Sequence, residues 1–172
     1  SLQEIYVINE MAHVHGLKAN VSVRINPDID AHTHKYVTTG LYENKFGISQ
    51  HEFDKLIDIL KKSEHINFIG LHFHIGSQIT RVDEVFALEC QRVNDIVAYF
   101  ERNGLKVDNI NLGGGLGVDY DDPDENPIAD FGTWFRTISE NIVRREDQTV
   151  HVEPGRSLVA QCGTLISRVL FV

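Results

Sequence analysis

Apolar and polar residues alternate along this 172-residue chain with two different periods. A period of two, typical of a strand with one buried face, occurs in residues 21–27, 67–78, 107–112 and 149–156. Apolar residues at helical spacing occupy residues 2–15, 49–63, 82–103 and 131–145. Gly16 and Gly104 follow two of these segments and predict where those helices end. A strand-like segment, 164–172, takes the place of a last helix.

The order of these elements predicts an α/β fold. Strands that alternate with helices form parallel sheets with right-handed crossovers. A doubly wound sheet and a closed barrel both meet this description. Strands of a doubly wound sheet are apolar on both faces, whereas the strands here have one polar face, as Arg24 with Asn26 and His72 with His74 illustrate. This favours a (β/α)8 barrel of the TIM type with its polar face inward.

The number of repeats bears on domain organisation. The chain holds four strand–helix units, and a barrel of this type needs eight. We therefore expect a central part of a longer protein. Residues 1–160 would belong to the barrel, and residues 161–172 would form an extended segment leading toward a C-terminal β domain.

Composition and charge exclude several classes of function. The formal net charge is −9 and Lys and Arg are scattered, which argues against a nucleic-acid surface. No apolar run reaches the roughly 18 residues of a membrane span, and residues 1–15 lack the features of an export signal. Cys90 and Cys162 have no metal-type spacing, so free thiols are expected. We expect a cytoplasmic protein without nucleic-acid or membrane partners.

Polar residues at the predicted strand ends indicate an anion site. Three glycines, 113–115, follow the third strand, and glycine amides can turn toward one bound anion. The Ser77 hydroxyl and the planar guanidinium of Arg156 suit phosphate oxygens. His74 and Glu153 remain for the rest of a ligand. His-x-His occurs three times, so its spacing alone is weak evidence, whereas an inward carboxylate in a barrel rarely lacks a partner.

Several motifs, taken in order, resemble one known family. They are GLHFHIGSQ (70–78), NLGGGLGV (111–118) and EPGR (153–156). In this order they resemble the pyridoxal-phosphate-dependent decarboxylases with an alanine-racemase-type barrel. Within that family the chain is most similar to the members that act on diaminopimelate, in residues 24–27, 30–34, 39–40 and 45–47.

The resemblance implies a lyase that uses pyridoxal 5′-phosphate to remove one carboxylate from meso-diaminopimelate and give lysine. Two catalytic residues are implied: His74, stacked on the cofactor ring, and Glu153, which faces the pyridine nitrogen and keeps it protonated. Arg156 would also contact the amino-acid substrate, and Arg24 would orient His74 or balance the charge around it. The remaining cofactor contacts are expected from Ser77, Gly113, Gly114, Gly115, Pro154, Gly155 and Arg156. Relatives form two-fold dimers, so a homodimer is expected.

Two family features have no match in this sequence. The family binds the cofactor covalently through a lysine, and no lysine here lies on an inward strand face. Lys18 does not match, because it directly precedes the strand of Arg24, whereas the family's lysine belongs to a much earlier strand. Cys162 has no acidic neighbour of the kind that reaches across the family's dimer. We therefore expect the chain to be inactive alone.

Several alternatives remain open. A related decarboxylase acting on ornithine, arginine or carboxynorspermidine would keep the same motifs. A non-catalytic homologue that binds a partner would belong to a different class. A metal-dependent hydrolase could use His72 and His74 but would require further ligands from other strand ends. No metal is expected.

Overall fold

The structure is a computed structural model that describes residues 1–27, 29 and 46–171. The helices in this range are α1 (Leu2–Val14), α2 (Phe53–Lys62), α3 (Val82–Arg102), α4 (Phe131–Asn141) and α5 (Gly155–Val159). The strands are β1 (Ala19–Arg24), β2 (Ile66–His72), β3 (Asn109–Asn111) and β4 (Thr149–His151). Short 3-10 turns lie before α2, at Gln50–Glu52, and after α5, at Ala160–Cys162.

The four strands form one parallel sheet in the order β1-β2-β3-β4. His72 at the end of β2 pairs with Arg24 on one side and with Asn111 on the other, and Asn111 pairs with His151. Neighbours in the sheet are therefore also neighbours in the chain, as in a barrel. The predicted α/β class is confirmed, and the carboxyl ends of all four strands lie at one edge of the sheet.

Among the described residues, helices pack on one face of this sheet. Leu71, Phe73 and Ile110 point to that face and are completely buried. They belong to one hydrophobic cluster together with residues of α2, α3 and α4, including Leu56 and Trp134. Burial of such side chains, at roughly 1.5–3 kcal/mol each, is the main term that fixes the helices on the sheet.

The opposite face of the sheet carries polar side chains. Asn67 of β2 donates a hydrogen bond to Asn20 of β1. His151 of β4 bonds to the side-chain oxygen of Asn109 in β3. These pairs satisfy side chains that no helix covers, and they continue toward the carboxyl edge, where the candidate site lies.

A β-bulge in β2 changes the predicted alternation. Val21 pairs with Phe68, but the next residue, Ser22, pairs with Gly70, so Ile69 has no partner in β1. The extra residue shifts the phase of the strand. Phe68, predicted on the polar face, therefore packs against the core with its ring 6.3 Å from that of Phe100. Ile69, predicted on the apolar face, lies outside the core cluster.

The predicted ends of the fourth strand and of the fourth helix are wrong. The fourth strand, predicted to reach residue 156, ends at His151, because Pro154 lies at the start of α5. Helix α4 ends at Asn141 and not at residue 145. Asn94 of α3 causes this stop, since its amide donates to the carbonyl of Asn141 and its oxygen accepts from the amide of Val143.

The C-terminal segment also differs from the prediction. Residues 163–171 contain neither helix nor strand in the part of the chain that the structure describes, so the strand expected there is not confirmed. An isolated extended segment has no neighbour to complete its backbone hydrogen bonds. The family-like residues 30–34, 39–40 and Lys45 lie outside the described residues.

Candidate active site

The loops that follow β2, β3 and β4 meet at the carboxyl edge of the sheet. They are the β2–α3 loop (73–81), the β3–α4 loop (112–130) and the β4–α5 loop (152–154). They enclose a cavity of about 230 Å³ lined by His74, Ser77, Gln78, Gly115, Leu116, Glu153, Pro154, Gly155 and Arg156. The structure thus brings most of the sequence-predicted site residues together. Gly113, Gly114 and Arg24 are the predicted residues that do not line this cavity.

Gly113 and Gly114 allow the three loops to pack closely. A Cβ atom at Gly113 would lie 2.4 Å from the carbonyl oxygen of Phe73, and one at Gly114 would lie 2.1 Å from that of Glu153. Both contacts are with rigid backbone, so neither position has room for a side chain. The first two glycines therefore bring His74 and Glu153 together, and their amides already have partners in Asn111 and His74.

Gly115 has a different role. It lines the cavity, and its φ of +105° is one that residues with a side chain rarely adopt. Its carbonyl accepts a hydrogen bond from the amide of Ile79. The Gly115 amide donates no hydrogen bond to any described residue. The Ser77 hydroxyl likewise makes no hydrogen bond within the described part of the chain. Both residues line the cavity, and each has a hydrogen-bond donor that no described residue uses.

The imidazole of His74 is held at the cavity wall by the glycine turn. The amide of Gly114 donates to its Nδ1 atom at 3.3 Å. A Cβ atom at Gly113 would lie only 3.0 Å from the same Nδ1. The ring therefore lies directly against the glycine backbone, and an acceptor role at Nδ1 places the proton of the neutral ring on Nε2.

Glu153 lies on the same wall, where Asn111 holds its carboxylate. The Asn111 side-chain amide donates to Oε1 of Glu153 at 2.8 Å, and its oxygen accepts from the amide of Gly113 at 2.8 Å. One side chain therefore fixes both the glycine turn and the carboxylate. The backbone amide of Glu153 also donates to the carbonyl of Gly113.

His72 lies close to this carboxylate without bonding to it. Its Nε2 atom is 3.8 Å from Oε1 of Glu153 and makes no hydrogen bond to any described residue. Burial lowers the pKa of His72 below its usual range, Glu153 opposes the shift, and Arg24 and His74 add to it. We therefore take His72 as neutral near pH 7, so that it does not cancel the negative charge of Glu153.

Arg156 also lines the cavity, in contact with two side chains. Its guanidinium donates to Oε1 of Gln78 at 3.1 Å. It also lies 5.9 Å from the ring centroid of Tyr120, within cation–π range. The cavity lining therefore includes a cation, Arg156, the neutral donors of Ser77 and Gly115, and a carboxylate, Glu153.

Arg24 lies at the end of β1, outside the cavity lining. Its guanidinium carbon is 5.6 Å from the ring centroid of Phe46. Its positive charge contributes to the lowered pKa of His72, which pairs with it in the sheet. The prediction that Arg24 orients His74 stays a prediction.

A second, larger cavity adjoins the first. It measures about 620 Å³ and shares Gln78 and Leu116 with the smaller one. Asp119, Asp121 and Asp130 give its other walls an acidic character. Two of these carboxylates are already used in local turns, because Asp119 accepts from the amides of residues 121 and 122 and Asp130 caps α4.

Sequence reasoning missed four residues of this region: Asn111, Gln78, Leu116 and Tyr120. The first three belong to the motifs that carry the family resemblance, so their place beside the glycines was a usable signal. Nothing in the sequence pairs Tyr120 with Arg156, because 36 positions separate them and the contact depends on the folded loop.

Among the described residues, no three His, Cys, Asp or Glu side chains come together in an arrangement that could hold a metal ion. In the same part of the chain, no helix combines the length and apolar character needed to cross a membrane.

Four parallel strands, with glycine turns and polar side chains at their carboxyl edge, form part of an α/β barrel, and comparison with known proteins specifies its family. The pyridoxal binding domain of the pyridoxal-dependent decarboxylases matches residues 1–160. A diaminopimelate decarboxylase from Bacteroides thetaiotaomicron is 49% identical over 172 residues, which is 100% of this chain and 44% of that protein. One from Pseudomonas aeruginosa is 41% identical over 170 residues, 99% of this chain and 40% of that protein.

A solved structure supports the same relationship. The diaminopimelate decarboxylase from Helicobacter pylori complexed with L-lysine matches with a TM-score of 0.76 and 37% identity, over 93% of this chain and 39% of that one. The chain belongs to the pyridoxal-dependent decarboxylase family, and its four-stranded sheet is part of that family's barrel. It spans less than half the length of the relatives that it matches.

Proposed function

We propose that this chain supplies the pyridoxal phosphate site of a decarboxylase that converts meso-diaminopimelate to lysine and carbon dioxide. The cavity at the strand ends carries the proposal, because it combines a cationic cup with an imidazole and a carboxylate. The relatives named diaminopimelate decarboxylase support this choice of substrate. The proposed parent is longer than this chain, with residues 1–160 in its barrel, and acts as a homodimer.

The donors around the cavity fit the cofactor. The phosphate would bind the Gly115 amide, the Ser77 hydroxyl and the Arg156 guanidinium, three donors that line one cavity. None of these atoms is fully engaged by the protein, since the first two make no bond to described residues and a guanidinium has five N–H groups. Gly113 and Gly114 act indirectly by bringing the loops together.

Glu153 and His74 would contact the pyridine ring. When bound, pyridoxal phosphate supplies a ring that accepts the electron pair left by departing carbon dioxide. Glu153 would hold a proton on the ring nitrogen, since a carboxylate beside that atom favours its charged form. His74 would pack against the ring, with its orientation fixed by the Gly114 amide.

Glu153→Gln and Arg156→Ala separate the two ends of the site in the full-length protein. Glu153→Gln removes the charge at the ring and leaves the phosphate donors, so kcat should fall by about two orders of magnitude, while the Kd for pyridoxal phosphate stays nearly constant. Arg156→Ala removes a charge-assisted phosphate contact of about 1.5–3 kcal/mol, so this Kd should rise about tenfold or more. Absorbance titration with the cofactor and a lysine-release assay measure both quantities.

The matched controls are Arg102→Ala and Glu64→Ala, two exposed residues outside the cavity lining. Each removes one charge of the same sign as its partner variant, so neither should change kcat or the cofactor Kd. Equal kcat values for Glu153→Gln and the wild-type protein would remove Glu153 from the ring nitrogen. An unchanged Kd in Arg156→Ala would remove Arg156 from the phosphate cup.

A further inference from the structure

We propose that Gln78 is a positioning residue that fixes the Arg156 guanidinium for the phosphate of the cofactor. The inference rests on the proposed function, because it assigns a role within the same cavity. Gln78 lines this cavity and contacts Arg156, while its side-chain Nε2 donates to the carbonyl of Val118.

The backbone of Gln78 is in an unusual conformation. Its φ of +58° makes it the only non-glycine residue with positive φ in the described part of the chain. This conformation costs roughly 1–2 kcal/mol for a residue with a side chain. Such a cost persists only where surrounding contacts impose the conformation. The next residue supplies them, since Ile79 donates to the carbonyl of Gly115 and accepts from the amide of Gly117.

The Gln78 side chain extends this pairing between the two loops. Its Nε2 donates to the carbonyl of Val118, and its Oε1 accepts from the amide of the same residue at 3.3 Å. The nitrogen and the oxygen of the carboxamide are therefore both held by the backbone of Val118. Because Oε1 has two lone pairs, it can also accept from Arg156, which has donors only.

This arrangement links all three loops around the cavity. The β2–α3 loop contributes Gln78, the β3–α4 loop contributes Val118, and Arg156 is the second residue of α5, just after the β4–α5 loop. Arg156 is otherwise exposed, and its guanidinium also contacts the ring of Tyr120. A free arginine side chain loses up to roughly 2 kcal/mol of rotamer freedom when a ligand orders it. Gln78 orders it before the phosphate arrives, which favours binding.

Gln78→Gly tests this role in the full-length protein. Glycine accepts the positive φ without strain, so the substitution removes only the side chain. We expect the Kd for pyridoxal phosphate to rise about five- to tenfold, as for a loss of about 1 kcal/mol of preorganisation. Pyridoxal, which lacks the phosphate, serves as the second probe, and its Kd should not change.

A double-mutant cycle with Arg156→Ala separates positioning from general loop support. If Gln78 acts through Arg156, then Gln78→Gly should change the Kd less than about twofold once Arg156 is absent. An equal factor with and without Arg156, or an equal loss of pyridoxal affinity, would overturn the proposal. Gln78→Asn, which also tolerates positive φ but has a shorter amide, should weaken binding in the same direction.

Gln91→Gly is the matched control. Gln91 is an exposed residue within α3, where glycine costs about 1 kcal/mol of stability. This variant should lower the thermal midpoint without changing the Kd for pyridoxal phosphate. A wild-type protein that does not bind pyridoxal phosphate would refute the proposed function itself. Normal wild-type binding with an Arg156→Ala defect and no Gln78→Gly defect would refute the positioning role alone.

Discussion

Asn111 shows how much of this site depends on one side chain that touches no proposed ligand. It bonds to the carboxylate of Glu153 and to the amide of Gly113, and so connects the glycine turn with a carboxylate that lines the cavity. The motif INLGGG predicts the glycine turn, because consecutive glycines after a strand readily adopt the backbone conformations of a tight turn. The carboxamide bridge to Glu153 could not be predicted, because 42 positions separate the two residues.

Asn111→Ala should release the Glu153 carboxylate from its fixed position. We expect kcat of the full-length protein to fall about tenfold, as for loss of a hydrogen bond to a charged group, with a smaller change in cofactor Kd. Asn67→Ala is the matched control, because it removes an Asn–Asn bond from the same face of the sheet at Asn20, outside the cavity lining. Equal kcat values for the Asn111→Ala and Asn67→Ala variants would contradict the role of Asn111.

At the scale of elements, periodicity predicts the existence and order of the strands and of helices α1 to α4, because each strand buries one face and each of these helices one stripe. It fails where a tertiary contact decides. The bulge at Ile69 depends on the pairing of β2 with β1, and the end of α4 depends on Asn94 of a different helix. The β4–α5 turn depends on Glu153 bonding to Gly113. A single segment contains no information about these partners.

Helix α3 carries a buried carboxyl group that its periodicity does not predict. Glu89 is 0% exposed, and neither of its carboxylate oxygens has a hydrogen-bond partner among the described residues. Burial therefore raises the pKa of Glu89 well above its usual range. The folded state keeps this proton at pH values where the unfolded chain has released it.

The free energy of unfolding should therefore fall as pH rises above about 4.5, by at most about 1.4 kcal/mol per pH unit. Glu89→Gln removes this titration. The variant should match the wild-type protein near pH 4 and be more stable at pH 8. Urea unfolding at both pH values measures the difference, and Asp83→Asn, an exposed residue of α3, is the control. A stability difference that is the same at both pH values would contradict the account.

At the scale of the whole molecule, the described residues expose surfaces that a finished barrel covers. β1 and β4 are both at the edge of the described sheet. α1 exposes Tyr6, Val7 and Met11, each at more than half of its surface. Unpaired strand edges and clustered apolar side chains promote association with other chains. The order of four consecutive strands predicts this open half barrel from the sequence, but the sequence does not predict which side chains remain exposed.

Residues 1–172 expressed alone should therefore aggregate, whereas the proposed full-length protein should elute as a homodimer. Size-exclusion chromatography with light scattering measures both. Lys substitutions at Val7 and Met11 should reduce the aggregation of the isolated chain, because charge on an exposed apolar face opposes association. A stable, monodisperse monomer of residues 1–172 would show that these surfaces need no cover.

The most direct test is substrate turnover by the full-length protein with added pyridoxal phosphate. Meso-diaminopimelate, ornithine and arginine are supplied separately, and the amine product and carbon dioxide are measured together. We expect the wild-type protein to release lysine and carbon dioxide in equal amounts from meso-diaminopimelate. The Glu153→Gln variant should lose this activity. Faster release of carbon dioxide from ornithine or arginine would contradict the proposed substrate, and no release from any of the three would contradict the proposed function.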